Sequence, residues 1–215
     1  VTTGVENVLL GGNAGDSLTS GSYNIAIGRN ALQAEDAHGR NVAIGHAALE
    51  DQNAGADAYN VAIGYQAGKD VSTGGFNTIV GGLAGDALTT GNRNVAIGYE
   101  ALSAEDTGAR NVAVGEGSLR SLNYDGNGYN VGVGYDAGTS LTTGIQNTLI
   151  GSSAGDALTE GKNNIAIGYS ALTSETHGER NVAIGVFALG SQVNNSDVDT
   201  YNVAVGYNAG YAVTT

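Results

Sequence analysis

Little in this chain is equipped for bond-making chemistry. The 215 residues hold three histidines, at 38, 46 and 177, and no cysteine. Thiolate nucleophiles, thiolate metal sites and disulfides are therefore excluded. The three imidazoles share no phase that would stack them into a metal column, and the polar turns around His38 and His177 read as solvated surface. Serine and aspartate are plentiful, so counting alone leaves a Ser-His-Asp set open, but no glycine-rich phosphate loop opens a helix. The expectation is a protein that is not an enzyme. Two groups of residues recur in phase with the turns. Asp16, Asp86 and Asp156 stand in turns such as Gly11-Gly12-Asn13-Ala14-Gly15-Asp16-Ser17-Leu18, where an Asp ordinarily shapes the turn. Tyr65, Tyr99, Tyr135, Tyr169 and Tyr207 each follow a Gly, and an exposed Tyr offers a rigid amphipathic contact for a sugar or a protein.

A repeat carries all of these residues. Asn recurs at 7, 24, 41, 60, 77, 94, 111, 130, 147, 164, 181 and 202, with a Gly four places after each. Seven places after each Asn stands an Ala, Ser118 excepted. The frame is Asn-h-s-h-Gly-x-x-Ala, with h apolar and s usually Ala, as in Asn94-Val95-Ala96-Ile97-Gly98. A short fixed period means one unit stacked on copies of itself. The spacings of 17, 19 and 21 residues repeat in a longer frame of 70, giving blocks at about 7–76, 77–146 and 147–215. Alternation with β-branched residues predicts a short half-buried strand, and the Gly a turn. One circuit has room for about two short strands and two turns, and circuits stacked at about 4.8 Å pair as parallel strands. The fold class expected is all-β, a parallel β-solenoid or β-roll of 12 rungs. In this reading Val, Ile and Leu line a narrow core and the Asn side chains form a hydrogen-bonded ladder. The intervening Ala column (Ala26, Ala43, Ala62, Ala96 and their equivalents) faces outward, packed closely against a second chain.

Composition narrows the partners. A net charge of −13 opposes binding to a nucleic-acid backbone or an anionic membrane surface. No apolar run approaches the roughly 18–20 residues of a spanning helix, so no membrane insertion of this segment is expected. The opening Val1-Thr2-Thr3-Gly4 matches the rung tail Leu141-Thr142-Thr143-Gly144, which suggests a segment excised in register from a longer fibre. Threonine pairs such as Thr89-Thr90 raise ice binding, but the second and third rungs of each block interrupt the column.

Asn94-Val-Ala-Ile-Gly-Tyr-Glu-Ala-Leu102 resembles the head repeats of trimeric autotransporter adhesins. Asn164–Leu172 and Ala137–Gly144 also look like repeats of phage tail-fibre proteins. The resemblance implies a left-handed β-roll, a homotrimer, an extracellular, cell-surface or virion location, and attachment to a cell-surface glycan or protein receptor. The rungs here are longer than in those adhesin heads and carry a four-rung superperiod, so a self-contained monomeric solenoid binding a glycan or ice stands as the alternative. Gly11–Leu18 and Gly81–Leu88 further resemble the calcium-binding nonapeptide, with Ala in place of one Gly; the resemblance implies calcium at Asp16, Asp86 and Asp156 and keeps a calcium-stabilised roll in view.

Overall fold

The computed structural model describes residues 1–197 and 199–213. Twelve three-residue strands follow the twelve ladder asparagines: β1 (Val8–Leu10), β2 (Ile25–Ile27), β3 (Val42–Ile44), β4 (Val61–Ile63), β5 (Thr78–Val80) and β6 (Val95–Ile97) in the first half. β7 (Val112–Val114), β8 (Val131–Val133), β9 (Thr148–Ile150), β10 (Ile165–Ile167), β11 (Val182–Ile184) and β12 (Val203–Val205) complete the series. They form one parallel sheet in strict chain order. Register never slips: Val95 pairs with Val112, Ala96 with Ala113 and Ile97 with Val114, and every other rung pairs likewise. The chain is a parallel β-solenoid. Each circuit carries one strand among the described residues, not the two expected; turns make up the remainder, because the positions after the strand take left-handed backbone instead of an extended path.

The Asn ladder is present with a geometry that the sequence did not specify. The Asn94 backbone N–H donates to the Asn77 side-chain oxygen at 2.9 Å, and the Asn94 side-chain oxygen accepts from Asn111 N–H at 2.9 Å. The same bond recurs between all successive ladder residues at 2.9–3.3 Å. Meanwhile Asn94 Nδ2 donates to the Gly108 carbonyl at 2.8 Å, closing its own circuit. Side chain therefore bonds mainly to backbone, rather than amide to amide. Asn41 and Asn111 keep a buried Nδ2 without a partner. Both open 19-residue rungs, whose two extra residues displace the carbonyl that Asn94 reaches. The Gly after the strand is equally constrained. Gly98 has φ of 134°, and a Cβ there would lie 2.5 Å from the Gly115 carbonyl carbon.

One expectation is reversed. The strand-centre residues Ala26, Ala43, Ala62, Ala96, Ala113, Ala166 and Ala183 are fully buried, so the Ala column faces the core and not a second chain. The flanking Val and Ile face outward, half-exposed. The reason is volume. Leu32, Leu49, Leu102, Leu119, Leu172 and Leu189, eight places after the Asn, fill the interior from the opposite wall and leave space only for a methyl. Where that eighth place is Gly, the strand centre grows to Leu9, Ile79 or Leu149, or the neighbouring rungs lean in: a Cβ on Gly68 would meet Ile79 Cδ1 at 2.8 Å. This large-against-small matching fills the core with no polar side chain at a strand centre, as close packing of an interior requires.

Asn94→Ala leaves the buried Asn111 N–H and Gly108 carbonyl unpaired, each costing about 1–3 kcal/mol. A loss of roughly 2–5 kcal/mol is expected, read by urea denaturation as a lower midpoint with the slope retained.

Candidate interaction surface

The outward positions of twelve strands form two parallel columns. One holds Val8, Ile25, Val42, Val61, Thr78, Val95, Val112, Val131, Thr148, Ile165, Val182 and Val203; the other runs from Leu10 through Ile97 to Val205. All but Leu10 are β-branched, and the sheet presents them at the strand spacing of about 4.8 Å. Exposure of this face is partial inside the rod and greater at the two outermost strands, where Val203 is 71% and Leu10 65% exposed. No ionisable side chain stands in either column. Isolated exposed apolar residues need no explanation, but a long uncharged stripe that is apolar except at Thr78 and Thr148 is a candidate contact surface.

Aromatic columns border the stripe. The five tyrosines singled out above occupy one column, on every second rung from β4 to β12, each at least half exposed, with Tyr207 at 75%. His46 stacks on Tyr65 at 5.5 Å, and Phe187 meets Tyr169 edge-on at 5.4 Å. On the other margin, immediately before each ladder Asn, runs a second column that is not among the binding candidates of the sequence. Here Tyr23, Arg40, Tyr59, Phe76 and Arg93 stack on five consecutive rungs, with Arg40 4.9 Å from the Tyr23 ring, Tyr59 5.5 Å from Phe76, and Arg93 5.3 Å from Phe76. Each adopts left-handed φ between 54° and 64°, a conformation that costs an ordinary L residue about 1–2 kcal/mol. Cation–π and ring stacking offset part of that cost. A groove of about 360 Å³ lies beside Phe76 and Arg93, with Asp57, Thr73 and Asn92 among its walls. The signal for this column was available: it keeps constant phase with the Asn.

The aspartates of the calcium reading take the same turn on β1, β5 and β9, four rungs apart. Asp16 is exposed, Asp156 accepts from Thr173 Oγ1 at 2.6 Å, and Asp86 keeps a buried oxygen without a partner, burial pushing its pKa up. The three are not brought together.

Buried carboxylates are the feature least visible in the sequence. Eleven places after each Asn the chain points inward, and the column reads Leu18, Glu35, Gln52, Val71, Leu88, Glu105, Leu122, Leu141, Leu158, Glu175, Gln192 and Val213. Its three glutamates are fully buried. Glu105 lies between the Leu88 and Leu122 rungs and accepts only from Gly108 N–H at 2.8 Å and Tyr124 N–H at 3.3 Å. Burial dominates and raises its pKa from 4.5 to about 7. Burial works against ionised Glu175 too, but bonds from Gly178 N–H, Gln192 and Asn194 more than offset it and hold its pKa below 4.5.

The sign of the pH dependence follows. Below pH 4.5 Glu105 is protonated folded or unfolded; between 4.5 and about 7 only the unfolded chain ionises, so stability falls as pH rises, by about 3 kcal/mol in all. Above about 7 the loss is complete. Urea denaturation at pH 5 and pH 8 should show this fall in the wild type and a much flatter profile in Glu105→Gln.

A scan against models of protein families finds no match, and searches of curated proteins and of solved structures find none either.

Proposed function

We propose that this chain is a structural and adhesive fibre segment, not an enzyme, which assembles with copies of itself through its Val/Ile face. The observation that carries the reading is the double column of uncharged, outward-facing residues along twelve rungs, β-branched at every place but Leu10. Eleven intervals of about 4.8 Å give a stripe roughly 53 Å long, and with its aromatic margins it is on the order of 15 Å wide. About 800 Å² per partner is what a stable interface buries. A second copy fits the stripe because its own stripe has the same spacing and the same lack of charge. Closed symmetry then favours a small cyclic oligomer over an open stack, and three chains, as in the adhesin and tail-fibre repeats that the rungs resemble, is the form proposed.

In such a fibre the function is mechanical and multivalent. A rod holds weak sites at fixed spacing, and their number multiplies avidity. The tyrosine margin and the groove beside Phe76 and Arg93 are the contacts proposed for a cell-surface glycan or protein receptor, which would place the fibre outside the cell or on a virion. The charge of −13 keeps the polar walls mutually repulsive and soluble.

Light scattering at several concentrations tests the assembly. The chain is 21.5 kDa, so the trimer scatters at three times that mass. The double variant Ile97→Lys, Ile167→Lys places charge on the stripe without touching the core, and should yield monomers with little loss of far-UV circular dichroism. A wild-type chain that stays monomeric at every concentration overturns the oligomeric reading and favours the self-contained solenoid.

A further inference from the structure

The buried glutamate recurs seventy residues on, at 35, 105 and 175, but its surroundings do not. Around Glu175 the next rung supplies Gln192 Nε2 at 2.7 Å, Asn194 Nδ2 at 2.7 Å and Asn194 N–H at 3.0 Å, so both oxygens are satisfied. In the first block Ala54 stands where Asn194 stands, and brings no side-chain donor. Gln52, the equivalent of Gln192, turns away: its Nε2 donates to the Ser72 carbonyl at 3.0 Å and its Oε1 accepts from Asn60 at 2.6 Å. Glu35 Oε1 accepts from His38 N–H at 2.9 Å, while Oε2, closed to solvent, has no partner. One further atom in this turn is closed to solvent and unpartnered: His38 Nδ1.

These two orphaned groups belong to one constellation. His38 Nδ1 lies 3.9 Å from Glu35 Oε1, and ligand atoms of Glu35, Asp36 and His38 all fall within 4.8 Å of one another. Neither sister turn has the set. The second block reads Glu105-Asp106-Thr107-Gly108, without a His, and the third reads Glu175-Thr176-His177-Gly178, without the Asp. We propose that Glu35, Asp36 and His38 form a site for one divalent transition-metal cation of the zinc type, which completes the turn as Gln192 and Asn194 complete it in the third block.

The donor set selects the metal. An imidazole nitrogen with two carboxylates suits zinc and its neighbours, whereas calcium takes an all-oxygen shell. Tetrahedral zinc with bonds near 2.0–2.1 Å holds its ligands about 3.4 Å apart, so the observed separations need only a modest closure of the turn. Glu35 is the buried anchor, and Asp36, exposed on the outer wall, gives the ion its approach from solvent. Two protein charges meet two cation charges, and solvent fills the remaining position. The ion would act as a clip within the turn that closes the second rung of the first block, with no step in any reaction.

The full chain, stripped with chelator and then given zinc chloride, supplies the test. Expected are one zinc per chain by calorimetry and a melting temperature raised by roughly 5–10 °C at a hundredfold excess over Kd. Glu35→Gln and His38→Ala should each abolish both effects, while His46→Ala and His177→Ala should leave them intact. His38 is partly exposed, so its variant remains informative even if Glu35→Gln fails to fold. No shift with zinc would mean that water or a proton satisfies Glu35, and would overturn the proposal. So would a shift that survives His38→Ala, or an equal shift with calcium.

Discussion

Everything in this rod depends on the side-chain oxygen of one Asn accepting from the backbone N–H of the next. A parallel sheet of three-residue strands has almost no intrinsic register, since slipping one residue exchanges the two faces at little backbone cost. The ladder removes that freedom. Each Asn must sit directly over its predecessor to make the bond, and the buried position leaves no water to substitute. With strand and Gly placed in this way, the remaining residues of the circuit need only return to the start. Connections of 17, 19 and 21 residues are thereby accommodated in one sheet without a break in pairing. The two unpaired Asn amides, at 41 and 111, are the local cost of the longer returns.

How much of this was legible in the sequence depends on the phase of each signal. The Asn-to-Gly frame recurs with identical phase, so the strands, their number and their parallel stacking could be read directly. A three-residue strand, however, alternates only once. Val95-Ala96-Ile97 alone is equally consistent with Ala inside or outside, and the greater bulk of Val and Ile favours burying them. What decides the matter lies further along the circuit: Leu102 reaches the interior from the facing wall and leaves room for one methyl opposite. The eleventh-place column was hidden for a different reason. Acidic residues in a Ser/Thr/Gly-rich connection read as solvated turn, and only the pattern of Leu or Val at the same place on other rungs, as at Leu88 and Leu141, marks the position as inward.

The three blocks act as an internal comparison of how a buried carboxylate is tolerated. Glu175 receives side-chain amides and stays ionised below its ordinary pKa. Glu105 has apolar rungs on both sides with two backbone donors, and holds its proton to about 7. Glu35 has a donor on one oxygen and none on the other. The backbone of the turn is shared, so the differences come from residues 17 and 19 places later, on the next rung. In a solenoid the environment of a residue is set largely by the rung that covers it. Substitutions at Gln192 or Asn194 therefore act on Glu175 across the stacking interface.

The inter-strand hydrogen bonds of this sheet run from rung to rung, along the length of the rod. A force applied to the two chain ends thus loads each rung's bonds in opening mode, beginning at an outermost strand, while the rungs behind remain shielded. Release of one 17-residue circuit frees about 58 Å of chain at 3.4 Å per residue, against the roughly 4.8 Å it occupied when stacked. The rod lengthens about twelvefold wherever it gives way, one circuit at a time. A rod with that property dissipates a sudden pull in successive small ruptures and stays joined end to end while doing so.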